Sequence, residues 1–292
     1  MLKRIFYYLS QMYPLSSWLG TFLTGFMVLT LSWRLGRGDE SFEWFTLVGP
    51  AALCFFSLLL RVKDEFKDYE DDLRNFPQRP LPSGKVTKRD LKFLGWFCVV
   101  AALGLSAWDE EVFAMACGVL IYSYLMLKWF FREEQMRASL PLAFLTHHPV
   151  VLLHFGYLIA VNQTTAYAVT PWQRLALMPL ALIMTNWEIC RKLRHPKDET
   201  AYTTYSKLWG YRRAGTIALI LNAAIAATAV STLLSIGVAW YWALLYLTGH
   251  LFLAWPLVQY LQAKKLGRPM KDWAEYLILW VVGYLTLVSW VA

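Results

Sequence analysis

Long apolar runs separated by short polar stretches occupy most of the chain. A run of about 17 to 25 apolar residues has the length that crosses a bilayer as a helix. The runs lack the two-residue alternation of barrel strands, and only helices and closed barrels satisfy their backbone in lipid. The pattern predicts an all-α integral membrane protein with about nine spans, near 14–33, 43–60, 91–108, 111–130, 140–161, 173–193, 214–234, 236–260 and 273–291.

Composition supports the membrane assignment. Hydrophobic residues make up 58% of the chain and charged residues 16%, whereas soluble domains carry about 25% charged residues. A soluble chain of 292 residues could not bury this much apolar surface. No composition shift or repeat divides the sequence, so residues 1–292 are predicted to form a single membrane-embedded domain.

The positions of Lys and Arg predict an orientation. They concentrate at the start and in alternate connections, near 61–92, 128–137, 191–213 and 264–271, while 109–111 is acidic and 162–170 is uncharged. Because cytoplasmic loops carry the excess of basic residues, the N-terminus is predicted in the cytosol. The net charge of +8 is then explained by topology and anionic lipid headgroups, without nucleic acid. A bacterial protein of this kind would lie in the plasma or inner membrane.

The first of two charged segments follows the second apolar run. Asp64, Asp68 and Asp72 are four residues apart and share one helix face, with Glu65 beside them. These carboxylates repel one another, and Mg²⁺, which prefers carboxylate oxygens and substrate phosphates, would relieve the repulsion. A solvated, salt-bridged helix end is the alternative. A turn rich in Pro and Gly follows, in which Arg79 is a candidate phosphate ligand or a lipid-headgroup anchor.

The second charged segment follows the sixth apolar run. Glu188, Arg191 and Lys192 lie at the end of that run. Asp198 and Glu199 come after a Pro break, and either could supply a later carboxylate. Both segments offer carboxylates and cations at the same predicted membrane face, which suggests a binuclear metal site that holds a diphosphate from two sides. The second segment carries as much positive as negative charge, so direct phosphate binding is equally open there.

At these residues the sequence resembles the UbiA superfamily of intramembrane prenyltransferases. The family's first motif is N-D-x-x-D-x-x-x-D with a loop ending R-P-[LI]-P-x-G. The residues from Asp64 to Asp72 fit its spacing with Asp for Asn and Glu for Asp, and 79–84 reads Arg-Pro-Leu-Pro-Ser-Gly. The second motif, often N-D-x-R-D-x-x-x-D, is matched in kind by Glu188 and Arg191, while Lys192 stands where the family often has an acid.

The resemblance implies a nine-helix bundle with a central cavity open toward cytosolic caps, and Mg²⁺-dependent transfer of an isoprenyl group from a prenyl diphosphate to an aromatic or other electron-rich acceptor. Two Mg²⁺ ions are expected. The implied metal ligands are Asp64, Glu65, Asp68, Asp72, Glu188 and Asp198. The implied diphosphate ligands are Arg79, Lys128, Arg191, Lys192 and Tyr124, and the implied catalytic residues are Asp68, Asp72, Arg191 and Lys128.

Two other functions stay open at this stage. A terpene cyclase on the same scaffold would use the same ionisation, with the prenyl chain attacking itself. A transporter would instead place ionisable residues near the middle of the membrane, where these spans have almost none. A transferase needs a polar anchor for its acceptor, and His147 and His148 are the candidates, with helix capping or packing as the alternative.

Overall fold

The computed structural model describes residues 1–37, 43–163, 178–199, 203–262 and 267–291. Within these ranges the chain is helical, with turns between the helices. The α-helices are α1 (Leu2–Met12), α2 (Leu15–Arg37), α3 (Val48–Lys67), α4 (Tyr69–Asn75), α5 (Lys88–Ser106), α6 (Glu110–Leu127), α7 (Glu133–Ala138), α8 (Leu140–His147), α9 (Val150–Gln163), α10 (Met178–Cys190), α11 (Tyr205–Trp209), α12 (Tyr211–Ser235), α13 (Trp240–Leu261) and α14 (Met270–Val291).

The chain divides into two compact units. The first comprises Met1–Leu29 and Phe42–Ala166, and the second comprises Thr30–Ser41 and Tyr167–Ala292. In the first unit α3 packs against α5, and α6 packs against α9. In the second unit α10 packs against α12 and α14, and α13 packs against both α12 and α14.

Six helical segments of the described chain are long and apolar enough to cross a membrane, so the protein is an integral, multi-pass membrane protein. They are Leu15–Trp33, Glu110–Leu127, Leu140–Asn162, Tyr211–Ser235, Trp240–Leu261 and Met270–Val291. The other three predicted spans fall on α3, α5 and α10. Both α3 and α5 carry several charges at one end, and α10 has 13 described residues. The count of nine, the cytosolic N-terminus and the central cavity stay predictions.

One apolar core in the first unit joins α1, α3, α5 and the turn that follows α4. Leu81 and Val86 from the turn are buried in it together with Ile5, Leu59 and Leu94. Burying these two side chains removes apolar surface from water, which stabilises the turn in a folded-back conformation. The turn that contains Arg79 therefore has a defined position within the unit.

Local hydrogen bonds close the same turn. Gly84 has φ of 74°, in the left-handed region that favours glycine, and its N–H donates to Leu81 O at 3.1 Å. Thr87 and Asp90 then form a capping box at the start of α5. The buried Asp90 carboxylate also accepts two hydrogen bonds from Arg4 of α1, at 2.7 and 3.0 Å.

A close helix approach in the second unit depends on a glycine. A Cβ placed on Gly249 of α13 would lie 2.2 Å from Trp280 Cζ2 of α14. The indole lies over the bare backbone at this point, and its Nε1–H donates to Tyr246 O at 3.3 Å. Glycine is required here because any side chain would collide with the ring.

Candidate active site

The first acidic segment continues the helix beyond the predicted span, which ends near residue 60. Helix α3 runs to Lys67 and α4 begins at Tyr69, with Asp68 at the junction. Asp68 N donates to Asp64 O at 2.9 Å and Asp72 N donates to Asp68 O at 2.8 Å, so the four-residue hydrogen-bond register is kept across the junction. The helical continuation expected from the sequence is confirmed.

Two carboxylates of this segment are buried and paired with arginines. Arg79, on the folded-back turn, donates from Nη1 to Asp72 Oδ1 at 2.6 Å, and Arg61 is paired with Glu65 one helical turn away. Asp72 is 5% exposed and Glu65 only 1%. The turn therefore brings a guanidinium back onto the acidic helix.

The surroundings of Asp68 disfavour its charged form. Burial raises its pKa above the usual range, Lys67 opposes this, and the nearby Asp72 raises it further. Burial likewise raises the pKa of Glu65, which Arg61 opposes. A bound cation would favour the charged form of both groups.

The carboxylates fit a hard divalent cation by their donor chemistry, because Mg²⁺ takes oxygen ligands. Glu65 Oε2 is buried and has no hydrogen-bond partner in the described chain, so one donor oxygen is available. Across the described ranges, no three His, Cys, Asp or Glu side chains converge closely enough to hold a metal by themselves. In this structure arginines neutralise Glu65 and Asp72 instead.

His147, a predicted acceptor ligand, lies against the acidic helix. Its Nε2 is 2.9 Å from Lys67 Nζ, and its Nδ1 is 2.8 Å from Ala143 O. Because a carbonyl only accepts, Nδ1 carries the proton and Nε2 accepts from Lys67. Trp129 completes the cluster, with Lys67 Nζ 3.8 Å from the centre of its ring.

A strained turn positions this aromatic side chain. Trp129, Phe130 and Phe131 have φ of 51°, 51° and 59°, a left-handed conformation that is costly for residues with a Cβ. Phe130 also packs edge-on against His147, with ring centres 5.6 Å apart. Backbone strain of this kind concentrates at functional sites.

The other predicted site residues of the first unit are Lys128 and Tyr124, which are exposed, and His148, which packs against a neighbouring ring. Lys128 is exposed and its Nζ lies 6.0 Å from the Tyr124 ring centre, and Tyr124 is itself exposed. His148 stacks on Phe144 with ring centres 4.6 Å apart, a packing role that the sequence had left open.

The sequence analysis did not identify three basic residues of α3 as candidate ligands. Arg61 pairs with Glu65, Lys67 contacts His147, and Lys63 donates to Ser123 Oγ at 2.6 Å. Alternating basic and acidic residues at a helix end also occur on ordinary solvated helices. The sequence indicated that Arg61 and Lys67 can relieve the repulsion between the acids, but it contained no signal that these three cations are ligands.

The first carboxylate of the second charged segment, Glu188, is neutralised by basic residues of the same segment. Glu188 forms hydrogen bonds with Arg191 at 2.5 and 2.9 Å, and Lys192 Nζ lies 3.1 Å from its Oε1. The structure thus brings these three predicted residues together. Asp198 lies in a short turn, Pro196–Asp198, and is exposed.

Glu199, next to Asp198, has a structural role. Its carboxylate accepts hydrogen bonds from Thr204 Oγ1 at 2.8 and 2.9 Å and from Ser206 Oγ at 2.6 Å. Ser206 Oγ also accepts from Arg194 N at 2.8 Å. These bonds link the two sides of the connection between α10 and α11.

Comparison with known proteins identifies the family. A family model described as the UbiA prenyltransferase family matches residues 21–282. The chain belongs to the UbiA prenyltransferase family. Membership makes this protein a prenyltransferase enzyme, and the predicted resemblance is confirmed. A search of curated proteins finds no match.

Solved structures share the UbiA fold at low sequence identity. A UbiA homolog from Archaeoglobus fulgidus bound to GPP and Mg²⁺ is 14% identical, with a TM-score of 0.61 over 97% of this chain and 99% of that one. The same homolog bound to DMAPP and Mg²⁺ gives 14% and 0.61 over 98% and 99%. A digeranylgeranylglyceryl phosphate synthase is 16% identical, with a TM-score of 0.58 over 94% and 96%.

Proposed function

We propose that the chain transfers an isoprenyl group from a prenyl diphosphate to an aromatic or other electron-rich acceptor, in a Mg²⁺-dependent reaction at the cytosolic membrane face. The observation that carries the proposal is the return of Arg79 to the acidic helix, where Nη1 lies 2.6 Å from Asp72 Oδ1. An anion-binding guanidinium beside cation-binding carboxylates suits a metal diphosphate. The UbiA homolog from A. fulgidus, which binds GPP or DMAPP with Mg²⁺, supports the donor class.

The residues of the first unit supply binding and charge. Asp64, Glu65, Asp68 and Asp72 would hold the cation, while Arg79, Lys128 and Tyr124 would contact phosphate oxygens. When bound, Mg²⁺ stabilises the diphosphate as a leaving group. Asp68 and Asp72 would contribute to catalysis by holding the cation, which would supply the positive charge opposite the diphosphate as the carbon–oxygen bond breaks. The second motif is proposed to add metal and phosphate ligands through Glu188, Asp198, Arg191 and Lys192.

The bond changes are those of an electrophilic substitution. The bond between the allylic carbon and the diphosphate oxygen breaks, and its electron pair stays with the diphosphate. The acceptor forms the new bond with its own electron pair and then loses a proton, which the released diphosphate can take up.

A polar anchor for the acceptor favours a transferase over a cyclase. His147 has a defined tautomer and lies beside Lys67, with Trp129 providing an aromatic surface. A polar acceptor group could hydrogen-bond to the Lys67 ammonium, which has three donors and uses one on His147. His148 is proposed to shape this wall through its stacking on Phe144. A cyclase would need no such anchor, because its substrate tail is a hydrocarbon.

The test uses purified full-length protein in lipid nanodiscs, with prenyl diphosphates of increasing length, Mg²⁺ and phenolic or quinol acceptors. Diphosphate release and the prenylated product are measured together. Asp68→Asn removes one charge at nearly constant shape, and we expect it to reduce turnover at least about 100-fold, on the scale of a lost electrostatic group in a catalytic site.

Asp71→Asn is the matched control, since Asp71 is three residues further along the acidic segment but pairs with Arg137, and both of these side chains are partly exposed. We expect it to retain most of the activity. A cyclic hydrocarbon or alcohol formed without any acceptor would support the terpene cyclase instead. Failure of every donor to release diphosphate, with both variants behaving as wild type, would overturn the proposal.

A further inference from the structure

Arg61 has no role in the function proposed above, yet it is placed at the acidic segment. It lies one helical turn before Glu65 and forms an ion pair with Oε1 of that residue. Glu65 is 1% exposed, whereas the Arg61 side chain is 27% exposed. The guanidinium side chain therefore has an exposed part, whereas the carboxylate has none.

Glu65 and its neighbour Tyr8 have buried polar atoms without hydrogen-bond partners in the described chain. In Glu65 this atom is Oε2. The Tyr8 hydroxyl of α1 is close to Glu65 and Arg61, is fully buried, and also lacks a hydrogen bond of normal geometry. Buried polar atoms are nearly always paired, because each unpaired one loses its hydration without compensation. The Tyr8 hydroxyl can donate a hydrogen bond as well as accept one, whereas the Glu65 oxygen can only accept, so it is the Glu65 oxygen beside Arg61 that a cation could contact.

We infer that Arg61 is an exchangeable counter-ion: it neutralises Glu65 when no metal is bound, and it moves to a phosphate oxygen when the metal diphosphate binds. The inference rests on the proposed function, since it takes Glu65 as a ligand of Mg²⁺. Arg79, which pairs with Asp72 at 2.6 Å on the same helix, would exchange in the same way.

Charge balance gives the exchange its direction. A metal ion and a guanidinium compete for the same carboxylate, so Arg61 lowers the affinity of the protein for a metal on its own. A diphosphate reverses this by offering the displaced guanidinium an anion, with which arginine forms strong charge-assisted hydrogen bonds. Metal and diphosphate then favour each other's binding, and this coupling is reciprocal. Free Mg²⁺ would be held weakly until the donor arrives.

The test measures metal binding directly, independent of turnover. Full-length protein in nanodiscs is titrated with Mn²⁺, whose free ion is counted by electron paramagnetic resonance, with and without inorganic diphosphate. Arg61→Gln removes the competing charge. We expect it to bind Mn²⁺ alone at least fivefold more tightly than wild type, and the increase in affinity caused by diphosphate to fall at least threefold.

Arg4→Gln is the matched control because Arg4 also pairs with a buried carboxylate of the first unit, Asp90 of α5. It should leave Mn²⁺ binding unchanged. Arg61→Lys keeps the positive charge with weaker pairing to a carboxylate, so its Mn²⁺ affinity should lie between those of wild type and Arg61→Gln. It also decides the question if Arg61→Gln does not fold.

The counter-ion inference and the proposed function fail on different results. Unchanged or weaker Mn²⁺ binding in Arg61→Gln, or in Arg61→Lys as the substitute, overturns the counter-ion inference, while wild-type binding of Mn²⁺ with diphosphate leaves the proposed function in place. Absence of metal binding by the wild type, even with diphosphate, contradicts the proposed function itself.

Discussion

Replacing Gly84 by alanine should loosen the turn that carries Arg79, without any steric clash. Gly84 has φ of 74°, and a Cβ at this position would meet no atom within 4 Å. The cost is therefore purely conformational, roughly 1–2 kcal/mol for a non-glycine residue in the left-handed region. Alanine recovers part of this, about 0.4–1 kcal/mol, by reducing the entropy of the open chain. The net penalty is about 1 kcal/mol, which corresponds to about a fivefold higher population of the opened turn.

Limited trypsin digestion measures that population, because Lys85 is exposed in the turn and cleavage there requires local opening. The rate of cleavage after Lys85 should rise about fivefold in Gly84→Ala when opening is fast compared with cleavage. Gly84→Asn should show a smaller increase, since asparagine tolerates the left-handed conformation. Affinity for a prenyl diphosphate should weaken in the same order.

Gly104→Ala provides the comparison without strain. Gly104 lies within α5 and has no positive φ, and a Cβ added to it would likewise meet no atom within 4 Å. The rate of cleavage after Lys85 in this variant should equal that of wild type. Equal rates for Gly84→Ala and Gly104→Ala would refute the reasoning, because the backbone conformation of Gly84 would then carry no energetic cost.

Two further predictions concern packing and acid stability. Gly249→Ala places a methyl group 2.2 Å from Trp280 and should destabilise the second unit by about 1–3 kcal/mol, seen as a lower melting temperature in detergent, while Gly283→Ala should not. The Arg4 side chain donates hydrogen bonds to Asp90 and holds the pKa of that carboxyl below its usual range. Its stabilising effect is complete above the unfolded-state pKa of about 3.9 and is lost as pH falls toward the folded value. Asp90→Asn should therefore melt below wild type at pH 7, with a difference that shrinks on acidification below about pH 4; a constant difference would contradict this.

The sequence determined the membrane class and the helical spacing of the acidic residues, because both depend on residues close together in the chain. The apolar runs have the length that the bilayer requires, so their assignment needed no knowledge of packing. The spacing of Asp64, Asp68 and Asp72 follows the helical period, and the structure retains it through i to i−4 hydrogen bonds. The family motif added the donor class, because its loop and its carboxylates recur at matching positions.

Contacts between distant parts of the chain were beyond the reach of the sequence. Lys67 and His147 are 80 positions apart, and their side chains meet at 2.9 Å only in the folded chain. Arg61 is four residues before Glu65, so helical spacing alone permits that pair, whereas Arg79 reaches Asp72 because the turn after α4 folds back. In the second segment, the sequence does not distinguish the adjacent acids Asp198 and Glu199. In the structure Glu199 accepts hydrogen bonds from Thr204 and Ser206, whereas Asp198 is exposed.

The sequence by itself determined an apolar helical protein with charged segments at helix ends, because hydrophobic length and helical period act over neighbouring residues. Only the tertiary structure decided which charges distant in the sequence pair with one another and which oxygen of Glu65 is left without a partner in the described chain. Ion pairing and burial depend on distances across the folded chain, and the sequence does not contain those distances until packing sets them.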